Sequence, residues 1–248
     1  MKTHTERSNT LFLFDIHGTL AENKQMADDK VFKMLLEIKK YVKIGFVTGS
    51  DLEQAKKQLG ENVLNVFDYG FCENGTQFYK NGKLEKSENF LGKISEKGYK
   101  EIVNHVLSLL CKIDCPVKRG QFITLRNSTL NVSPIGRSCT VLERKEFFEY
   151  DKKFRIREKF VKEISSTLSK YEMDCAIGGQ ISIDIFPKGW DKTYCINHIT
   201  EENICFFGDM TEIGQNDYKL YNHPKTKGFK VLDPHDTIKK VYKLLFTN

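Results

Sequence analysis

The chain has little of what marks several large protein classes. No run approaches the roughly 20 apolar residues of a membrane span, and the polar start MKTHTERSNT leads into an apolar stretch too short for a signal peptide. Seven cysteines (Cys72, Cys111, Cys115, Cys139, Cys175, Cys195, Cys205) are odd in number and form no CxxC pair. Neither a disulfide framework nor a zinc site is therefore expected, and a reducing, cytoplasmic location fits best. The 39 basic residues outnumber the 33 acidic ones but are scattered, whereas nucleic acid calls for a clustered basic face. No repeat or low-complexity segment is evident. What remains is a globular protein with no nucleic-acid or membrane partner. At 248 residues and 40% hydrophobic content it can bury one large or two modest cores. Its net charge of +6 would help attract an anionic substrate such as a sugar phosphate.

The segment Leu11 to Leu20, LFLFDIHGTL, is an apolar run that stops at Asp15 and turns at Gly18-Thr19. Asp28 to Lys40 follows with Val31, Leu35 and Ile38 at helical spacing, and Lys43 to Val47 reads as a second buried strand. Strand, helix, strand implies a parallel pair. Ser50 with Glu53 has capping-box spacing before a helix Asp51 to Leu59, and Val66 to Phe71 reads as a third strand before Glu73-Asn74-Gly75. The pattern then changes. A long helix over Ser95 to Cys111, strands at Gln121 to Arg126 and Thr129 to Val132, and helical sequence from Glu143 to Lys170 lead to a Gly178-Gly179 turn. The alternating strand Gln180 to Phe186 that follows is hairpin-like. The parallel pattern resumes with a helix near Asp191 to Ile199 and a strand Ile204 to Phe207, which ends in Gly208-Asp209.

These elements predict an α/β fold, a doubly wound parallel-sheet core with an inserted α+β cap. The expected division is a core of residues 1–84 and 190–248 around a cap of 85–189. In open α/β sheets, ligands bind outside the carboxyl ends of the strands. Asp15 and Asp209 would share that crevice, and two carboxylates suit one Mg²⁺. The plainer reading has Asp15 capping a turn and Asp209 a helix. Thr48 would hydrogen-bond a transferring phosphoryl group, with Ser50 as its competitor, and Lys192 would neutralise its charge. In the cap, alternation along ISIDIF places Ser182 and Asp184 on one face and Ile181, Ile183 and Ile185 on the other. Arg126, Arg137 and Arg144 would bind a phosphate through their guanidinium forks.

An apolar strand ending in a carboxylate and a Gly-Thr turn resembles the nucleophile loop of haloacid-dehalogenase-type phosphotransferases. Arg126-Asn127, NVSPIGRSC at Asn131 to Cys139, GGQISIDIFPKGWDKTYC at Gly178 to Cys195 and FFGDMTEIGQND at Phe206 to Asp217 together resemble the eukaryotic phosphomannomutases over nearly the whole chain. That resemblance implies a haloacid-dehalogenase core with a cap, interconverting mannose 6-phosphate and mannose 1-phosphate. It also implies Mg²⁺, a phospho-aspartyl intermediate primed by a hexose 1,6-bisphosphate, and a homodimer formed through the caps. Asp15 would be the nucleophile; Asp15, the His17 backbone carbonyl and Asp209 would bind Mg²⁺. Arg126, Arg137, Arg144, Ser182 and Asp184 would hold the sugar and its distal phosphate.

Three positions depart from the family pattern. The family's arginine after the nucleophile loop aligns with Lys24, which keeps the charge and loses the fork. An aspartate associated with a second ion aligns with His223, flanked by Tyr221 and Thr226. His17 replaces the acid/base aspartate, a role worth about 10² to 10⁴ in rate. The expected function is a mutase supplying mannose 1-phosphate for GDP-mannose synthesis, with His17 as an altered acid/base and glucose phosphates as competing substrates. The alternatives are a sugar-phosphate phosphatase and a catalytically impaired sugar-phosphate-binding relative.

Overall fold

A computed structural model describes residues 9–22 and 25–246. Lys24 lies outside the described residues. In chain order the elements are β1 (Thr10–Phe14), α1 (Asp29–Ile38), β2 (Lys43–Val47), α2 (Leu52–Leu59), α3 (Val63–Val66), β3 (Tyr69–Cys72) and a hairpin of β4 (Gln77–Lys80) and β5 (Lys83–Ser87). There follow α4 (Glu96–Lys112), β6 (Ile123–Leu125), β7 (Leu130–Val132), α5 (Val141–Phe154), α6 (Ile156–Ser169), β8 (Met173–Gly178) and β9 (Ser182–Pro187). The chain closes with β10 (Asn203–Gly208), α7 (Tyr218–Tyr221), β11 (Thr226–Lys230) and α8 (Pro234–Phe246). No helix among the described residues is long and apolar enough to cross a membrane.

The chain divides into two compact units. The first comprises residues 1–87, 192–213 and 217–248; the second comprises residues 88–191 and 214–216. The first unit is built on a seven-stranded sheet in the order β11-β10-β1-β2-β3-β4-β5. Its first five strands run parallel and the β4–β5 hairpin is antiparallel. β1 is central and buried on both faces, so LFLF reads as a continuous apolar run. Phe12 and Phe14 pack into a core with Val31, Leu35 and Ile38 of α1, Ala55 and Leu59 of α2, and Val241 of α8. Leu11 and Leu13 enter a second core with Tyr69, Phe71, Cys195, Ile196 and Leu220 on the other face. Two cores on one sheet are the physical content of a doubly wound fold.

The second unit carries a four-stranded antiparallel sheet in the order β6-β7-β9-β8. Ile102 and Val106 of α4 and Phe160 and Ile164 of α6 pack on Leu130, Val132, Ile183 and Ile185. The opposite face of β7 and β9 carries Asn131 and Asp184, partners in register.

Several local expectations need correction. Asp51, not Ser50, caps α2: its side chain accepts from the Gln54 N–H at 2.8 Å, while the Ser50 N–H is turned toward Thr48 Oγ1. The expected strand Val66 to Phe71 splits into α3 and β3, because Asp68 terminates the apolar run and accepts from the Ile44 N–H. Glu143 to Lys170 is two helices. Arg155 adopts a left-handed φ of 55° between them, and Asp151 accepts from both the backbone and the side chain of Arg157. The helix near Asp191 is a 3₁₀ segment, Lys192–His198. Ile181 precedes β9 and packs with Ile135, Cys139 and Phe147 instead of joining Ile183 and Ile185.

Replacing Asp51 by Ala should cost about 1 kcal/mol, the usual worth of an N-cap, while Ser50→Ala should change stability by only a few tenths. Urea denaturation of both variants reads the difference.

Candidate active site

The parallel strands deliver their carboxyl ends to one edge, and the ladder extends one residue past β1: the Asp15 N–H donates to Phe207 O at 2.9 Å. Asp15 is therefore held by sheet hydrogen bonding and not by a loop. Lys192 begins the 3₁₀ segment and is almost completely buried. Its ammonium lies 2.5 Å from Asp15 Oδ1 and 2.6 Å from Asp217 Oδ1. Asp209 follows β10 directly. One carboxylate oxygen from each of Asp15, Asp209 and Asp217 falls within 4.8 Å of the others.

Charge decides how these groups behave. Burial alone would lower the Lys192 pKa, but the carboxylates of Asp15 and Asp217 raise it above the ordinary lysine value. A buried cation between two carboxylates stays protonated. Burial raises the Asp15 pKa, and Lys192 opposes it. Asp217 is pushed up to about 6 by burial, against Lys192. Asp209 is pushed up to about 8, by burial first and then by its carboxylate neighbours Asp15 and Asp217.

This donor set fits a hard divalent cation, which takes oxygen ligands. Asp209 Oδ1 is buried and accepts no hydrogen bond. Asp217 is occupied differently: one oxygen receives Lys192 and the other receives the Met210 N–H at 3.1 Å. Asp15 and Asp209 are thus the carboxylates available to a cation, and Asp217 holds Lys192. Two glycines make the packing possible. A Cβ at Gly18 would lie 2.3 Å from Asp209 Oδ2, and one at Gly208 would lie 2.6 Å from Asp217 Oδ2. Gly18 also has a φ of +77°.

Around this centre, Thr48 ends β2 fully buried. Its Oγ1 accepts from the Ser50 N–H at 3.1 Å, so its own O–H is left to donate. The neighbouring segment Glu73-Asn74-Gly75 takes three successive positive φ angles, 48°, 63° and 92°. It is pinned by the Asn74 N–H donating to Thr48 O and the Glu73 N–H donating to Ser50 O. Gly75 lies so close to the backbone of Cys195 that a Cβ there would be 2.9 Å from its nitrogen. His17 forms an isolated bridge with Ala21 in the same loop. Tyr221, His223 and Thr226 lie in the turn from α7 to β11. There the Thr226 hydroxyl donates to Leu220 O and the His223 ring nitrogen accepts from the Lys225 N–H.

The second unit assembles its own polar group. Arg126 Nη1 lies 3.8 Å from Asp184 Oδ1, and Arg137 reaches Asp184 through Asn131. Arg144, in the first turn of α5, is only 6% exposed, and its Nε and Nη2 donors are buried without partners. Burial of such donors is costly unless an anion meets them. Ser182 starts β9, and its carbonyl accepts from Arg157, as do those of Gly178 and Gly179.

Two residues escaped the sequence reading. Asp217 carries the signal of a second carboxylate eight residues after Asp209, within GDMTEIGQND. Asn131 carries none, since its role depends on strand register.

Comparison with known proteins finds relatives over nearly the whole chain. Residues 31–247 match the eukaryotic phosphomannomutase family. A phosphomannomutase of Encephalitozoon cuniculi is 52% identical over 235 residues, covering 94% of this chain and 92% of its own. That of Saccharomyces cerevisiae is 44% identical, covering 95% and 94%, and phosphomannomutase 1 of Mus musculus 42%, covering 97% and 94%. At the level of fold, the chain resembles an IMP-nucleotidase of Plasmodium falciparum with a TM-score of 0.63 and 18% identity, covering 97% of this chain and 69% of that one. A trehalose-6-phosphate phosphatase related protein gives 0.56 at 18% identity, covering 94% and 96%.

The raised carboxylates set a pH dependence in chelator. The folded Asp209 keeps its proton up to about 8 and Asp217 to about 6, whereas unfolded aspartates release theirs near pH 4, so folded stability from these groups is greatest in acid and is lost as pH rises through that window. In EDTA, the Tm of the native chain should fall between pH 5 and pH 8 relative to that of Asp209→Asn. Mg²⁺ should raise the native Tm more at pH 8 than at pH 6. The second unit's polar face and the first unit's carboxylate edge, with 41–52% identity to named relatives over most of the chain, lead to one conclusion: this chain belongs to the eukaryotic phosphomannomutase family.

Proposed function

We propose that the chain is a phosphohexomutase that interconverts mannose 6-phosphate and mannose 1-phosphate through a phospho-aspartyl intermediate. The observation that carries this reading is that each unit supplies its own anion-handling group. The first unit has Asp15 beside the Lys192 ammonium. The second has Arg144, with two buried donors that no described residue accepts. A monophosphate hydrolase needs only one such group; a mutase handles two phosphates.

In this reading Asp15 attacks a phosphoryl group of a hexose 1,6-bisphosphate. The bond from phosphorus to the sugar oxygen breaks, and His17 delivers a proton to that oxygen. In the other half-reaction His17 takes the proton from the free hydroxyl of an incoming hexose monophosphate as that oxygen accepts the phosphoryl group from Asp15, which regenerates the bisphosphate. Lys192 and the Thr48 hydroxyl offset the charge on the phosphoryl oxygens, the electrostatic help this chemistry mostly requires. Mg²⁺, held by Asp15, Asp209 and the His17 carbonyl, would add further charge neutralisation at the same oxygens. Arg126, Arg137, Arg144, Ser182 and Asp184 grip the distal end of the sugar phosphate, with Lys24 as an added cation. Tyr221, His223 and Thr226, in a turn where the Thr226 hydroxyl donates to Leu220 O and His223 O, are the residues of a candidate second ion site.

His17 is the departure that tests the mechanism. An imidazole with a reference pKa near 6.5 can move protons at neutral pH, but it places its nitrogens differently from a carboxylate. Purified protein with Mg²⁺, mannose 1-phosphate and a hexose 1,6-bisphosphate should form mannose 6-phosphate with little free phosphate. Asp15→Asn should abolish conversion, and turnover retained there would sink the nucleophile assignment. Phosphate as the main product would favour the phosphatase. An inactive native protein rescued by His17→Asp would identify an impaired binding relative.

We also place the protein in the cytoplasm, supplying mannose 1-phosphate for GDP-mannose synthesis, as a homodimer through its second unit. Support for the dimer is the exposed apolar set Val141 and Leu142 on α5 and Leu125 on the edge strand β6. Sedimentation should return about twice the 28.8 kDa chain mass, and Leu142→Lys should shift it toward one copy.

A further inference from the structure

Asn131 occupies the centre of β7, directly opposite Asp184 on β9, and is 1% exposed. Its Nδ2 donates to Asp184 Oδ1 at 2.6 Å, and its Oδ1 accepts from Arg137 Nη1 at 2.9 Å. The orientation of the amide follows from its neighbours: a guanidinium can only donate and a carboxylate can only accept. Gly178 leaves room for the Asp184 carboxylate, since a Cβ there would lie 2.9 Å from its Oδ2. Arg137 is fixed at its backbone by donating to Gln121 O at 3.1 Å. The adjacent Gly136 approaches Gly120 so closely that a Cβ would fall 2.1 Å from Gly120 O.

We propose that Asn131 is a positioning residue for sugar-phosphate binding, an amide relay that fixes the Arg137 guanidinium and the Asp184 carboxylate in one geometry. The inference rests on the reading that these two side chains hold the substrate. A sheet position is suited to the task, since a buried side chain on a strand loses little further freedom when its partners are aligned. The relay also keeps opposite charges from collapsing onto each other. Arg137 donates from Nη1 to the neutral Asn131 amide oxygen. Arg126, 3.8 Å from the same Asp184 oxygen, is the other cation facing this carboxylate. A hydrophobic residue at 131 would take away one hydrogen bond from the buried Asp184 carboxylate and one from Arg137, a costly loss for polar groups in a sheet.

The test is a set of variants assayed with mannose 1-phosphate and a hexose 1,6-bisphosphate. Asn131→Asp is isosteric and can still accept from Arg137 but cannot donate to Asp184. It should raise KM about ten- to hundredfold, the worth of one misplaced buried polar contact, with kcat within about threefold. Asn131→Ser keeps a short donor and acceptor and should raise KM less than Asn131→Ala. That order separates a hydrogen-bond relay from simple packing, and it decides the matter if the Asp variant fails to fold by circular dichroism. Native KM in Asn131→Asp, or equal KM values in the Ser and Ala variants, overturns the relay. Asp184→Asn and Arg137→Ala serve as references. If they raise KM while the Asn131 variants do not, only the relay fails; if they too leave KM unchanged, the substrate-binding reading of the second unit fails with it.

Discussion

Everything at the carboxyl edge of the large sheet depends on one buried cation. Lys192 makes ion pairs at 2.5 and 2.6 Å with Asp15 and Asp217 while having almost no contact with solvent. Three aspartates packed within 4.8 Å would otherwise repel one another in a medium that screens poorly. Lys192 joins two of them and leaves Asp209 with an oxygen that nothing else satisfies. The frustration is local and useful. The sheet holds Asp15, the glycines at 18 and 208 give the other carboxylates room, and the remaining negative charge is what a cation would answer.

The second unit solves a different electrostatic problem. On its polar face Asn131 stands between Arg137 and Asp184, and Arg144 is buried next to Cys139 with two donors that no described residue meets. At the carboxylate edge of the first unit the positive charge sits on one ammonium between two carboxylates; on the polar face of the second it sits on guanidinium forks, with Arg126 facing Asp184 at 3.8 Å. A point charge suits a phosphoryl group passing through a transfer, and planar forks suit a phosphate that must be held still.

The strands bearing Asp15 and Asp209 were legible in the sequence because fully buried parallel strands are continuous apolar runs that end abruptly at a carboxylate. Lys192 was legible through its motif, although its surroundings form a 3₁₀ segment and not the expected helix. The hairpin β4–β5 was missed because KLEKS in β5 is entirely exposed and carries no apolar alternation. Ser50 has capping-box spacing to Glu53, but Asp51 is one residue closer to the helix and its carboxylate accepts from the Gln54 N–H. Asn131 could not be read at all. Its partners lie 6 and 53 residues away, Asp184 brought to it by strand pairing and Arg137 by the loop that follows β7.

The sheet order has a consequence for how the chain is made. β1 ends as an interior strand between β2 and β10, yet β10 begins at Asn203, almost two hundred residues later. Throughout most of synthesis the strand that carries Asp15 has one bare edge of N–H and C=O groups, flanked by the most apolar sequence in the first unit. Such an edge is a template for wrong pairing. The second unit is complete in sequence, apart from residues 214–216, before β10 emerges. The nascent protein therefore carries a nearly finished insert while the sheet is still open, and the demand for chaperone protection falls on the strand that leads to Asp15.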